Sequence, residues 1–220
     1  MRLICLILVV MCSLTVFSQT QEEKEAAYAK TILVRAEKIV VPLGISDSAK
    51  ALRVRDLIMQ QYRSLNEVYS ERDKKMAKAK ELKQTNKELA QQLVINAENE
   101  VDARLYNLHF EYLSKLMPYL STTQIDQVKD GMTYGILELT YKGYLSMIQN
   151  LTEEQKLQIR AWLTEAREHA MDAGSSDEKH KWFGKYKGRI NNWLSAAGYD
   201  LKKEGEDWQK RIKLEENKSK

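Results

Sequence analysis

Aromatic and hydrogen-bonding side chains are concentrated in two glycine-rich segments, residues 130–144 and 170–193. Four of these side chains carry flat apolar rings: Tyr134, Tyr141, Trp182 and Tyr186. Four others carry hydrogen-bonding groups: Asp172, His180, Arg189 and Asn192. The apolar face of a pyranose stacks on such rings, while polar side chains bind its hydroxyl groups. The two segments therefore predict a carbohydrate-binding cleft between them.

The spacing of the aromatic residues in the second segment also supports a simpler interpretation. Trp182, Tyr186, Ile190 and Trp193 recur at intervals of three or four residues, which places them on one face of a helix. Such a stripe is typical of a helix that packs against the protein core. Burial of Trp182 and Tyr186 distinguishes the core interpretation from the binding interpretation.

A metal site or a catalytic centre has weaker support. Glu165, His169 and Asp172 lie about one helical turn apart and could share a face. No His-Glu-x-x-His motif accompanies them, and a solvated helix face rich in carboxylates explains them as well. We therefore predict no metal, no cofactor and no catalytic residue. If the protein is instead a glycan-active enzyme, Asp172 and Glu178 are the first carboxylates to test.

The elements that position these segments are predicted to be helices throughout. No proline or glycine occurs between Gly44 and Pro118, and a single helix over this stretch would be about 110 Å long. A long antiparallel hairpin over residues 46–117 is the expected alternative, with its turn at 84–86 or, as second choice, at 70–73. Apolar residues at helical spacing predict the seam between its arms. They are Val54, Leu57, Ile58, Leu65 and Val68, then Leu89, Leu93, Val101, Leu105, Leu108, Tyr112 and Leu116.

The remaining chain is predicted to complete one helical domain over residues 19–214. A helix over residues 22–41 ends at Pro42 and Gly44, and glycines divide residues 119–214 into a cluster of shorter helices. Residues 215–220 form a polar tail. The fold class is therefore all-α, with a hairpin packed on shorter helices.

A helix-start pattern recurs along the chain. Ser121 with Gln124, and Thr152 with Gln155, each predict a capping box, and Ile45–Ala49 is a degenerate third copy. Small helical chaperones and stress sensors of the periplasm use the same pattern, so a chaperone or envelope-stress partner is an alternative function. A general capping signal explains the pattern without that kinship.

The N-terminus indicates export. Residues 1–18 contain one charge, Arg2, followed by an apolar run to Phe17, which predicts a signal peptide cleaved near Ser18. A lipid anchor at Cys12 is the less favoured alternative, because Met11 precedes it. Both cysteines lie in this stretch, so the mature chain has no disulfide. We expect a periplasmic or secreted protein without a membrane span.

Composition limits the classes of partner. Removal of the first eighteen residues leaves 34 basic and 31 acidic side chains, which is close to balance. Such a balance does not favour nucleic acid as a ligand. A carbohydrate, and other envelope proteins of glycan utilisation, are the predicted partners.

Three stretches resemble a known family. They are Asp-Gly-Met-Thr-Tyr-Gly at 130–135, Leu-Thr-Glu-Glu-Gln at 151–155, and the long motif at 170–192 that begins Ala-Met-Asp-Ala-Gly-Ser-Ser-Asp. They resemble a domain of unknown function in secreted proteins of Gram-negative gut-type bacteria, over about residues 25–210. Family descriptions associate that domain with sugar binding, and its members accompany polysaccharide-utilisation genes. The resemblance implies an exported, glycan-associated role and transfers no catalytic residue.

Overall fold

The computed structural model describes residues 20–218, which form eight α-helices and no strand. The helices are α1 (Gln21–Val40), α2 (Ser48–Leu82), α3 (Lys87–Leu116), α4 (Thr122–Met132), α5 (Ile136–Met147), α6 (Glu153–Met171), α7 (Ser176–Ala196) and α8 (Leu201–Lys218). A short 3-10 helix, Val41–Leu43, follows α1 and ends at Gly44 in the left-handed conformation. The all-α fold class is confirmed. The predicted signal peptide lies outside the described residues.

The two complete helix-start signals form as predicted. The Ser121 hydroxyl accepts a hydrogen bond from the Gln124 amide at 3.3 Å, and the Gln124 side chain accepts one from the Ser121 amide at 3.1 Å. Thr152 and Gln155 repeat this exchange at the start of α6. The degenerate third copy differs, because the Asp47 carboxylate caps α2 by accepting from the Lys50 amide.

The helical hairpin is confirmed, with α2 and α3 joined by a turn at residues 83–86. Asn86 caps α3 by accepting a hydrogen bond from the Leu89 amide at 3.0 Å. The predicted seam holds along most of its length, but Leu89 is exposed and that prediction was wrong. Near the turn, Ala79, Ala90 and Ala97 are buried instead. Small side chains here allow the two helices to approach closely, so a leucine is not needed at the seam.

The glycines divide the second half of the chain less often than predicted. Gly143, Gly184, Gly188 and Gly205 lie inside helices rather than between them. The breaks after α4, α6 and α7 fall instead at Gly135, Gly174 and Gly198. A glycine inside a helix costs only about 1 kcal/mol, which tertiary packing of the helix offsets. The last helix continues to Lys218, so residues 215–218 of the predicted tail are helical.

Two apolar clusters form the core. The first lies among α1, α2, α3 and α4 and includes Ile58, Leu116 and Met132. The second lies among α5, α6, α7 and α8 and includes Leu163 and Phe183. Helix α6 joins the two clusters, because its last residue, Met171, packs into the first cluster while most of its buried residues pack into the second. Over residues 20–218, no helix is both long enough and apolar enough to cross a membrane.

Candidate functional site

An open groove of about 1180 Å³ lies between the hairpin and the α6–α7 pair. Side chains of α2 and α3 form one wall, and side chains of α6, α7 and the loop between them form the other. The groove is therefore built at the place where the two halves of the core meet. Its position differs from the predicted cleft, because one wall comes from the hairpin rather than from residues 130–144.

The floor of the groove is a network around Asp172, a buried carboxylate at the end of α6. Its Oδ2 lies 2.7 Å from Nδ1 of His109 on α3. Its Oδ1 accepts a hydrogen bond from the Gln61 side chain at 3.4 Å, and its backbone carbonyl accepts one from the Tyr69 hydroxyl at 3.0 Å. These contacts tie both arms of the hairpin to α6 and fix the floor.

Two further groups complete the floor. Nε2 of His109 lies 3.5 Å from Oε2 of Glu168, a carboxylate that also accepts a hydrogen bond from Lys129 at 2.8 Å. Burial, with an added contribution from the nearby Glu178 carboxylate, raises the pKa of Tyr69. The Tyr69 hydroxyl is therefore protonated at neutral pH and remains a hydrogen-bond donor.

The hairpin wall carries two large aromatic side chains that are more than half exposed. Tyr106 and Phe110, one turn apart on α3, are 68% and 56% exposed. Their ring centroids lie 5.0 Å apart in an edge-to-face arrangement, and the Phe110 ring also packs edge-to-face on His109. The open rings therefore lie directly beside the polar floor of the groove.

Trp182 lies on the opposite wall and is largely occupied by protein contacts. Its ring stacks on the His169 ring, with centroids 4.3 Å apart and planes inclined by 12°. The Lys185 ammonium lies 4.8 Å from the ring centroid. Trp182 therefore presents less free ring surface to the groove than Tyr106 and Phe110 do.

Of the eight predicted site residues, the structure places Asp172 and Trp182 on this groove. It brings Tyr134 and His180 together elsewhere, with ring centroids 6.0 Å apart and stacked planes. Tyr134 is exposed and has a φ of 60°, a conformation that few residues other than glycine adopt. Neither ring lines the groove.

The other four predicted residues lie away from the groove, on the packed side of α5–α7 or on their surface. Tyr186 is buried in the second core cluster, as the helical-stripe interpretation predicts. The Arg160 guanidinium lies over the Tyr141 ring at 5.0 Å. Arg189 lies over the Trp162 ring at 4.5 Å, and Asn192 is exposed on α7.

Sequence reasoning missed Tyr106 and Phe110, and it did not include His109 among the candidate site residues. The signal that could have identified them is the spacing of these three rings, at positions i, i+3 and i+4 of one helix. Two of them fall outside the apolar seam of α3. Large aromatic residues on the solvent side of an amphipathic helix need a reason other than packing.

The carboxylates and histidines weighed as a metal site have other contacts. His169 stacks on Trp182, and Asp172 pairs with His109. Within the part of the chain that the structure describes, no group of three or more such side chains is arranged to hold a metal ion. The open rings of Tyr106 and Phe110 can stack on a ligand, and the polar groups beside them can form hydrogen bonds to it.

The sequence of residues 29–214 matches a family model, and the chain belongs to that family, DUF3826, described as a protein of unknown function. This membership confirms the resemblance to a domain of unknown function. No curated protein matches the chain.

Proposed function

We propose that the protein is exported and binds carbohydrate without catalysis, as an accessory protein of glycan utilisation. The observation that carries this proposal is the pair of open rings, Tyr106 and Phe110, beside the polar floor of a large groove. Full burial of one such ring stabilises a protein by about 1.5–3 kcal/mol. Folding gains little of that from either ring here, so a ligand that stacks on them accounts for their position.

The groove also supplies the polar half of a sugar site. Glu168 and Asp172 contribute carboxylate oxygens, and the Arg72 guanidinium presents N–H donors. The Tyr69 hydroxyl donates its own proton to the Asp172 carbonyl, and its oxygen can accept a hydrogen bond. Arg72 is held in place by Asp73 at 2.9 Å and by stacking over the Tyr69 ring at 4.6 Å. Sugar hydroxyls both donate and accept hydrogen bonds, and a mixed set of fixed donors and acceptors matches them.

Support for the biological setting comes from the sequence. The apolar stretch that precedes Ser18 has the length and the small residues of a cleaved export signal. The resemblance of the sequence to a secreted domain implies a role in sugar binding, close to polysaccharide-utilisation genes. An exported binding protein of this kind would hold glycan for neighbouring envelope proteins.

The first experiment is a thermal-shift screen of the mature chain against plant and host polysaccharides and their oligosaccharides. Ligand at a hundred times its dissociation constant adds about 2.7 kcal/mol to the free energy of unfolding, an increase of several degrees in Tm. We expect one glycan class to give this shift. The Tyr106→Ala, Phe110→Ala double variant should lose it.

The matched control is the Leu139→Ala, Leu157→Ala double variant, because both leucines are exposed apolar residues outside the groove. This variant should keep the full shift. No shift with any glycan, together with suppression of client aggregation that depends on the same two rings, would replace the proposal with the chaperone alternative. Release of reducing sugar from the shifting glycan would replace it with the enzyme alternative.

A further inference from the structure

The groove side of α3 carries one continuous ridge of side chains. Glu98, Asp102, Tyr106 and Phe110 follow one another at four-residue spacing, and all four line the groove. A helix rises 1.5 Å per residue, so this ridge is about 18 Å long. Its first half is acidic and its second half is aromatic. A ligand that contacts the whole ridge must be an extended chain rather than a single sugar.

The acidic half of the ridge is unpaired, whereas four other charged side chains of α3 form ion pairs. Glu100 pairs with Lys75, Arg104 pairs with Glu71, and Glu111 pairs with Lys115. Within residues 20–218, neither Glu98 nor Asp102 has a hydrogen-bond or ion-pair partner, and both are exposed. The charges of Glu100 and Arg104, which lie against α2, are therefore neutralised, while the carboxylates of Glu98 and Asp102, which line the groove, are left available.

The opposite wall carries the opposite charge. Lys181 and Lys185 lie one turn apart on α7 and line the groove. In the described chain neither lysine has an ion-pair partner, and the Lys185 ammonium lies over the Trp182 ring. A polyanion in the groove would face the unpaired carboxylates of Glu98 and Asp102, and a polycation would face the ammonium groups of Lys181 and Lys185; each juxtaposition is unfavourable. Uncharged hydroxyl groups can donate to the carboxylates and accept from the ammonium groups.

We propose that the groove binds an uncharged, linear oligosaccharide that lies lengthwise along α3. One end of the oligosaccharide stacks on Tyr106 and Phe110. Its other end forms hydrogen bonds with Glu98 and Asp102 on one wall and with Lys181 on the opposite wall. This inference rests on the proposed carbohydrate-binding function and specifies the class of carbohydrate. It also predicts that affinity depends on chain length.

The test is calorimetric titration of the mature protein with two series of oligosaccharides, each from one to six units. The first series is uncharged and contains gluco-, manno-, xylo- and galacto-oligosaccharides; the second contains hexuronate oligosaccharides. A hydrogen bond to a charged group corresponds to about tenfold or more in affinity. We expect affinity for one uncharged series to rise at least about tenfold from the shortest to the longest chain.

Asp102→Asn should remove about tenfold of that gain for the longest chain and leave binding of the shortest chain unchanged. Glu111→Gln is the matched control, because Glu111 lies on the same helix and outside the groove, and it should change neither value. Circular dichroism of both variants checks that they fold.

The outcomes separate this inference from the proposed function. A monosaccharide that binds as tightly as the longest chain, or a hexuronate series that binds more tightly than every uncharged series, would overturn the inference and leave carbohydrate binding in place. Binding of no oligosaccharide in either series would overturn both.

Discussion

Helices α7 and α3 carry the two most aromatic surfaces near the groove, and they use them differently. On α7, Tyr186 is buried in the second core cluster, and Trp182 and Trp193 pack against that cluster. On α3, Tyr106 and Phe110 contact each other and His109 but remain more than half exposed. The aromatic residues that are more prominent in the sequence therefore stabilise the fold, and the less prominent pair is open to a ligand.

The two helices differ in exposure because a neighbouring helix packs on the aromatic face of α7, whereas none within residues 20–218 packs on the aromatic face of α3. Helix α7 packs on α6, and the buried stripe of α7 faces the second core. Helix α3 packs on α2 through the hairpin seam, and its groove side faces α6 and α7 across open space. Aromatic content alone does not separate a core from a binding surface, because the arrangement of neighbouring helices decides it.

The largest expected effect compares the same substitution on the two surfaces. Phe183 on α7 is 1% exposed, whereas Phe110 on α3 is 56% exposed. Phe183→Ala should reduce the free energy of unfolding by about 3–5 kcal/mol, because it leaves a cavity in the core. Phe110→Ala should change it by no more than about 0.5 kcal/mol. Urea denaturation of both variants measures the difference, and equal losses would show that the two surfaces are not distinct.

Much of this fold could be predicted because its signals are local. The turn of the hairpin, the two capping boxes and the end of α1 just before Pro42 each depend on a few neighbouring residues. The positions of glycines within helices could not be predicted in the same way. Gly184 and Gly188 disfavour a helix locally, but packing of α7 on α6 supplies enough stabilisation to continue the helix through both.

The candidate site was less predictable because long-range contacts build it. Asp172 was recognised as polar and close to aromatic residues, but its partner His109 lies 63 residues earlier in the chain. Tyr134 and His180 come from the two predicted segments and do meet, although away from the groove. The packing of the hairpin against α6 determines which two segments enclose a groove. No local sequence pattern predicts that packing.

A second test uses pH to probe the inner side of α7. The Lys179 ammonium is buried and donates to the backbone carbonyls of Ala170 and Met171, each at 3.0 Å. Burial lowers the pKa of Lys179 to about 8, despite the nearby Asp172. Between pH 8 and the model-peptide value of 10.5, the folded protein has lost this proton while the unfolded chain keeps it. The unfolded state then binds more protons, so stability should rise with pH.

The rise should approach about 3 kcal/mol at most, because each pKa unit corresponds to about 1.4 kcal/mol. Above pH 10 the trend should reverse, since burial raises the pKa of Tyr62 and of Tyr144 to about 12 and the unfolded chain loses those protons first. Denaturation midpoints from pH 7 to 11 test this. Lys179→Met should abolish the rise, and Lys181→Met, a change at the exposed neighbouring lysine, should retain it. If stability still rises with pH in Lys179→Met, another titratable group is responsible for the rise.

The smallest effects come from two glycines, Gly174 just before α7 and Gly188 within it. Added to Gly174, a Cβ would lie 2.6 Å from the Tyr69 ring, whose hydroxyl holds the Asp172 carbonyl on the groove floor. Gly174→Ala should therefore cost about 1–3 kcal/mol. Added to Gly188, inside α7, a Cβ would meet no atom within 4 Å. Gly188→Ala should therefore stabilise the protein by about 0.5–1 kcal/mol, since alanine favours a helix.

These two substitutions also sharpen the contrast between the outer face of α7 and the groove. Because Gly188 lies outside the groove, Gly188→Ala should leave the Tm shift produced by a bound glycan unchanged. Gly174→Ala should reduce that shift, because displacement of Tyr69 disturbs the floor on which the ligand rests. Thermal-shift measurements with and without glycan give both values. Loss of the glycan-induced Tm shift in Gly188→Ala would indicate that the ligand binds the outer face of α7, where the helix backbone is accessible. The binding surface would then lie in the 170–193 segment, as the sequence first predicted.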